Sequence, residues 1–363
     1  MLKQPNTPKK ETALEKEAEK ELLACLAEIP FLSIVQTQRQ PRDGNWRPDL
    51  MIDIRDGNRE ESLVVECKTS GQPRIAREAV NQLLLYLGDF KQKVYGIFAA
   101  PYISPRAAEI CAQNGIGYID LAGNCLISFE KIFIKKEGKP NPFVQKRDLR
   151  SLYSPRSERV LRVILNEPKR VWKIQELAKA AGVSLGQTFN VKKLLLNREW
   201  LQTAQTREGF ALSQPLELLR EWSENYDFRR NTVFEYYSMK SPSEIEAELS
   251  RLFKEKGIAC GLTGFSGSAR LGIATRYQRA MAYVGEGDLE AVEQRLGLKR
   301  VTSGANVILL LPYDDGVFLG ATSKNQDEVV SSVQVYLDLV GYRGRGEEAA
   351  GQLLNEVIKP QWE

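Results

Sequence analysis

Three side chains with acid or base chemistry sit where a β-hairpin would gather them. Asp49 opens an alternating stretch, Leu50 to Ile54, in which Leu50, Ile52 and Ile54 point one way while Asp49, Met51 and Asp53 point the other. In the next extended stretch, Leu63 to Lys68, Val65 and Cys67 take one side and Val64, Glu66 and Lys68 take the other. Asp56-Gly57-Asn58 joins the two stretches with hairpin turn chemistry, so Asp49, Glu66 and Lys68 are expected on one surface. Two carboxylates there repel each other and cost free energy when buried, unless a cation relieves them. An ordinary surface hairpin could carry the same charges, but the apolar neighbours on both sides argue against one.

The chain has 363 residues and no histidine. That excludes Ser-His-Asp and Cys-His catalysis, histidine-ligated zinc and histidine-ligated haem. A metal must then be held by oxygen, which points to Mg²⁺ or Mn²⁺, with Asp49 and Glu66 as ligands. Such an ion polarises a phosphate and acidifies a water, and Lys68 would steady the developing charge. The following helix brings Gln82 and Tyr86, at i and i+4, onto one face beside them. A further acid would come from the first helix, where Glu15 and Glu19 are both placed to supply it.

Asp49, Glu66-Cys67-Lys68 and Gln82-Leu-Leu-Leu-Tyr86 together resemble the PD-(D/E)XK nuclease superfamily, in its RecB-type branch with a Q-x-x-x-Y helix. The resemblance spans roughly residues 12–135. It implies a restriction-endonuclease-like mixed sheet with flanking helices and an endonuclease cutting DNA phosphodiester bonds, with Asp49, Glu66, Lys68, Gln82 and Tyr86 as its catalytic set. Intact residues show capability and not turnover, so a silent site kept for DNA binding stays open. Cutting both strands would call for a homodimer.

The elements that must position these residues read as an α/β domain over 1–140. A helix over 12–28 places Leu14, Ala18, Leu22, Cys25 and Leu26 on one stripe. Strands follow near 31–37, 50–54 and 63–68, then a helix over 75–87, a strand over 95–99, a helix over 105–114, and strands at 118–121 and 125–129. From Lys135 to Arg159 eight Lys or Arg face three acids among several prolines, which reads as a basic linker over 141–155.

Residues 156–214 read as a winged helix-turn-helix, with helices over 158–165, 174–180 and 185–198 and a hairpin over 201–212. Ser184 caps the third helix, with Gln187 as a capping-box partner, and Gly182 makes the turn before it. Leu185, Phe189, Leu194 and Leu195 are expected in the core. Ser184, Gln187, Thr188, Asn190, Lys192 and Lys193 are candidates for bases and phosphates of double-stranded DNA, and Arg207 for a wing contact. A helical protein–protein module is the bland alternative.

Residues 215–242 read as a helical connector and 243–363 as a third α/β unit, with helices near 243–256, 288–296 and 345–358 and strands near 280–285, 306–311 and 332–338. The glycine-rich Gly264–Gly272 stretch suggests a phosphate cradle, but it lacks a Walker lysine and reads better as a structural turn. Leu262-Thr-Gly264, Gly304-Ala-Asn306, Val333 to Leu339 and Gly344 to Ala350 resemble AbiEi-type antitoxins of type IV toxin–antitoxin systems. That resemblance implies promoter repression through the winged helix, in a toxin–antitoxin or phage-defence operon, and a nucleotidyltransferase-type toxin as the opposed partner.

The net charge is +4, mildly basic. No apolar run approaches the roughly 18 residues of a membrane span, and residues 1–19 lack the apolar core of a secretory signal. A cytoplasmic protein is therefore expected. Five cysteines, none in a C-x-x-C pair, suit buried reduced thiols.

Overall fold

The computed structural model describes residues 8–41, 47–89, 94–143, 152–203, 209–256, 260–274, 276–324, 327–342 and 345–363. Two compact units emerge: Met1–Gln145 with Asn197–Glu199, and Lys146–Leu196 with Trp200–Glu363. Among the described residues no helix is long and apolar enough to cross a membrane.

The first unit is a mixed α/β sandwich. Helix α1 (Pro8–Leu26) leads into β1 (Leu32–Arg39), β2 (Leu50–Asp56) and β3 (Arg59–Cys67). Helix α2 (Pro73–Asp89), β4 (Val94–Ala100), α3 (Pro105–Gln113), β5 (Gly117–Asp120), β6 (Cys125–Phe129) and β7 (Ile132–Lys136) follow. The strands lie in chain order in one sheet. β3, β4 and β5 run parallel, as strands joined by crossover helices must, and the outer strands pair antiparallel. Strand β7 is not among the expected strands and closes the sheet just before the stretch expected to be linker. Its Ile132 is buried beneath the sheet while Phe133 is exposed, a half-buried edge strand.

Each sheet face has its own core. Leu14, Ala18, Leu22 and Leu26 of α1 pack on Leu50, Ile52, Val65 and Cys67. Ala76, Ala79, Val80 and Leu83 of α2 pack on Val64 and Phe98 from the other side. Cys25 and Cys125 lie Sγ to Sγ at 3.6 Å within the first core, and all five cysteines are buried free thiols.

Two glycines set the backbone around β3. Gly57, with φ of +59°, makes the β2–β3 turn in the left-handed region that glycine enters cheaply. Gly71, just past the strand, bridges to Ile103, and a Cβ there would stand 2.1 Å from the Tyr102 carbonyl oxygen. Only backbone faces it, so nothing can turn aside. Gly71→Ala is expected to cost about 2–3 kcal/mol by overpacking. Chemical denaturation would read this as a lower midpoint at unchanged slope.

The second unit opens with helices α4 (Pro155–Asn166), α5 (Ile174–Ala181) and α6 (Leu185–Asn197), then the hairpin β8 (Leu201–Thr203) and β9 (Phe210–Leu212). Trp172 joins the hairpin as a third short strand by exchanging backbone hydrogen bonds with Phe210. Gly182 closes α5 at φ +62°, as the turn expected there requires. This is the helix and hairpin order of a winged helix-turn-helix.

After helix α7 (Pro215–Asn225) the chain enters a second seven-stranded sheet. Only part of the expected helical connector is helical. Thr232–Tyr237 is a strand, β10, paired antiparallel with Val307–Leu311. Its β-branched and aromatic residues suit a pleated surface. The expected strand at 332–338 is instead helix Ser332–Val340, started by Ser331 accepting from the Gln334 N–H at 3.2 Å. Residues Val333 to Leu339 are all buried, so apolar alternation there reflects burial on every side. Gly264–Arg270 is a short helix, which absorbs the glycine-rich stretch structurally.

One continuous apolar core runs from Leu152 through Trp172 and Trp222 to Ile358, so the three-helix part and the second sheet share an interior. A buried polar network crosses that interior. Arg162 of α4 donates through Nε to Gln334 Oε1 at 2.9 Å, and Gln334 donates to Asp338 at 2.9 Å. Glu158, also fully buried, is met by Arg230 at 2.8 Å and by the Tyr313 hydroxyl.

Candidate metal centre and nucleic-acid interface

The register of the hairpin decides the first site. Leu50 faces Val65 across the strand pair, so one step further Asp49 stands beside Glu66 on the opposite face from α1. The Asp49 carboxylate accepts the Cys67 backbone N–H at 2.7 Å, which fixes its place at the strand end. Glu66 is 3% exposed. Its Oε1 accepts from the Lys68 ammonium at 2.5 Å, while its Oε2 is buried with no hydrogen-bond partner. Lys68 also donates to Gln82 Oε1 at 3.3 Å, and Gln82 donates to the Tyr86 hydroxyl at 2.6 Å. The expected set Asp49, Glu66, Lys68, Gln82 and Tyr86 is therefore brought together.

The electrostatics are those of two crowded acids beside one ammonium. Burial pushes the Glu66 carboxyl up to about 7, and the Asp49 charge adds to the rise against the pull of Lys68. Burial works to lower the Lys68 pKa, but the Glu66 hydrogen bond and charge outweigh it and leave the pKa raised. Lys68 is thus a charged donor at neutral pH and not a base.

Neither acid of α1 joins this pair. Glu15 is buried at 3% exposure, but α1 covers the Val65 and Cys67 face, and its Oε1 accepts from Gln40 at 3.0 Å. Glu19 is engaged by Arg39 at 2.6 Å. Among the described residues no three Asp, Glu or Cys groups stand close enough to cage an ion. What fits a hard cation is the Asp49–Glu66 pair with the orphaned Oε2, an all-oxygen donor set suited to Mg²⁺ or Mn²⁺.

The second site is helix α6. Its buried line is Thr188, Val191 and Leu195. This corrects the sequence reading twice. Leu185 and Phe189, expected in the core, are 51% and 55% exposed. Thr188, expected to reach DNA, is fully buried, with its hydroxyl donating to the Ser184 carbonyl at 3.1 Å. Large apolar residues alone do not set the buried face of α6; the helix period puts the small, self-satisfied Thr188 inside. Ser184 caps as expected, accepting from the Gln187 N–H at 3.2 Å. The Gln187 side chain turns away to Ser157 at 2.6 Å, so the capping box is only half formed. Asn190 and Lys193 are exposed. The Lys192 ammonium lies 4.5 Å from the centre of the Phe210 ring, a cation–π contact at the wing. Arg207 lies outside the described residues.

The comparisons with known proteins bear on the second unit. Residues 211–359 match the family model of a transcriptional regulator, the AbiEi antitoxin of type IV toxin–antitoxin systems. This AbiEi-type segment covers less than half of the chain and contains every C-terminal motif that suggested it. The three helices before it lie outside the match. No curated protein matches the chain. Among solved structures, a repair endonuclease from Pyrococcus abyssi is 16% identical over 33% of this chain and 49% of that one, at a TM-score of 0.24. An EndoMS–dsDNA2 complex is 18% identical over 28% and 43%, at a TM-score of 0.21. EndoMS in its apo form is 16% identical over 33% and 48%, at 0.22. The chain thus spans about half the length of these structures or less, and at such scores the likeness carries no argument.

Proposed function

We propose that the first unit is a divalent-cation-dependent DNA endonuclease domain, aimed at its substrate by the winged helix of the second. The observation that carries this reading is the buried Glu66 carboxylate, its Oε2 without a partner, set beside Asp49 and Lys68. Burying an acid with one oxygen unpartnered costs free energy, which a bound cation would offset. Mg²⁺ or Mn²⁺ held by Asp49 and Glu66 would supply a Lewis acid for the scissile phosphate and a water of lowered pKa. Lys68 would place a fixed positive charge against the phosphate oxygens as negative charge develops. Gln82, held in turn by Tyr86, orients that ammonium. With no histidine available, the leaving oxygen takes its proton from solvent or from Lys68.

The direct test is cleavage of supercoiled plasmid by the whole protein in Mg²⁺ or Mn²⁺, with EDTA as control. Nicked or linear product that EDTA suppresses is expected. Intact plasmid under all three conditions contradicts the reading.

A second reading is favoured by the AbiEi match over 211–359. In it the protein is an antitoxin and repressor of its own operon, opposed to a nucleotidyltransferase-type toxin, with a silent nuclease-like domain. Both readings need DNA binding. Mobility shift on DNA upstream of the protein's own gene should show a complex weakened by salt. Lys193→Ala is expected to lower the slope of log affinity against log salt by about one phosphate contact. An unchanged slope would remove Lys193 from the interface.

A further inference from the structure

The outward face of α6 carries chemistry that a phosphate-binding helix does not need. The buried line runs through Thr188, Val191 and Leu195, so Gly186, Phe189, Asn190 and Lys193 form the ridge diametrically outside, at i, i+3, i+4 and i+7. Leu185 flanks it, and Leu185 and Phe189 are 51% and 55% exposed. Leaving two large apolar side chains in water forgoes burial that either could find elsewhere. Gly186 adds a second oddity. A Cβ there would meet nothing within 4 Å, so no contact inside the protein asks for glycine. In a helix glycine is less stable than alanine, and the lack of a side chain helps only something approaching from outside. The helix contains two lysines and no acid.

We propose that this ridge reads thymine-bearing A·T pairs in the major groove. Phe189 and Leu185 pack against thymine C5-methyl groups, the apolar mark that distinguishes thymine in that groove. Gly186 lets the helix backbone approach the base edges. Asn190, beside Phe189, has the paired donor and acceptor that match adenine N6 and N7. Lys193, one turn further on, meets a backbone phosphate. The inference rests on the proposed role of α6 as the DNA-recognition element and adds the base class that it selects.

The test uses the whole protein in EDTA, so that cleavage cannot intervene. Its preferred duplex is selected from a random library and resynthesised with deoxyuridine in place of each thymidine in turn. Wild type is expected to lose about four-fold in affinity per contacted methyl, the worth of one buried carbon group. Phe189→Ala, an exposed substitution, should bind the thymidine duplex more weakly and lose its sensitivity to deoxyuridine at the thymine that Phe189 contacts, while keeping it at the one that Leu185 contacts. Salt-sensitive binding that ignores every thymidine-to-deoxyuridine change overturns this inference and leaves the DNA-recognition role standing. Loss of all salt-sensitive DNA binding overturns both. A Phe189→Ala chain that binds duplexes like wild type but loses self-association in sedimentation assigns the ridge to a protein contact and overturns the proposal.

Discussion

Lys68→Ala is expected to lower the rate constant for plasmid cleavage by about 10²–10³-fold while leaving the fold intact. The size follows from removing one pre-positioned donor to a developing oxyanion in a partly buried site. The fold should survive because Lys68 lies past the end of β3, and among the described residues its ammonium meets Glu66 and Gln82, both of the site itself. Lys68→Arg keeps the charge but not the compact ammonium geometry, so a partial loss is expected from it. Gln82→Ala should fall between, since Gln82 acts through Lys68. If Lys68→Ala cleaves as wild type does, cleavage arises elsewhere and the Asp49–Glu66–Lys68 set is structural.

The second large effect belongs to Asp338. Its carboxylate is fully buried and accepts from Tyr226 at 2.7 Å, Tyr283 at 3.0 Å and Gln334 at 2.9 Å, and also from Thr263. Asp338→Ala strands these donors in the interior. Each orphaned buried group costs about 1–3 kcal/mol, so a total loss of about 3–5 kcal/mol is expected after local adjustment. Thermal unfolding of the second unit should show it.

The pH dependence has a definite sign. Burial raises the Asp338 pKa from 3.8 to about 6, although its four hydrogen-bond donors pull the other way. A raised folded-state pKa means that the protonated form is favoured in the native protein. The group's contribution is therefore full below about pH 4, declines between about 4 and 6, and is flat above. Asp338→Asn removes that ionisation. The stability difference between wild type and Asp338→Asn should shift toward wild type as pH falls from 7 to 4. A difference independent of pH would contradict it.

The candidate site was legible because strands repeat every two residues. Once Asp56-Gly57-Asn58 was read as a turn, parity alone put Asp49, Glu66 and Lys68 on one face, and i,i+4 spacing added Gln82 and Tyr86. The choice between Glu15 and Glu19 was not legible. It depends on which sheet face α1 covers and on Gln40 and Arg39, distant partners that a local pattern does not reveal. The Arg162–Gln334–Asp338 network escaped for the same reason, since its members lie up to 176 residues apart in number. Helix 332–340 and the outward Phe189 show a different limit. Apolar content signals burial only on average, and a helix buried all round, or a large apolar residue left exposed, breaks the inference.

The central claim is that Asp49 and Glu66 hold a divalent cation. Titration of the whole protein with Mn²⁺, followed by electron paramagnetic resonance of the free ion, tests it without any assumption about substrate. Saturable binding is expected in wild type and in Lys68→Ala, and its loss in the Asp49→Asn, Glu66→Gln double variant. Equal Mn²⁺ binding by wild type and the double variant would contradict the account.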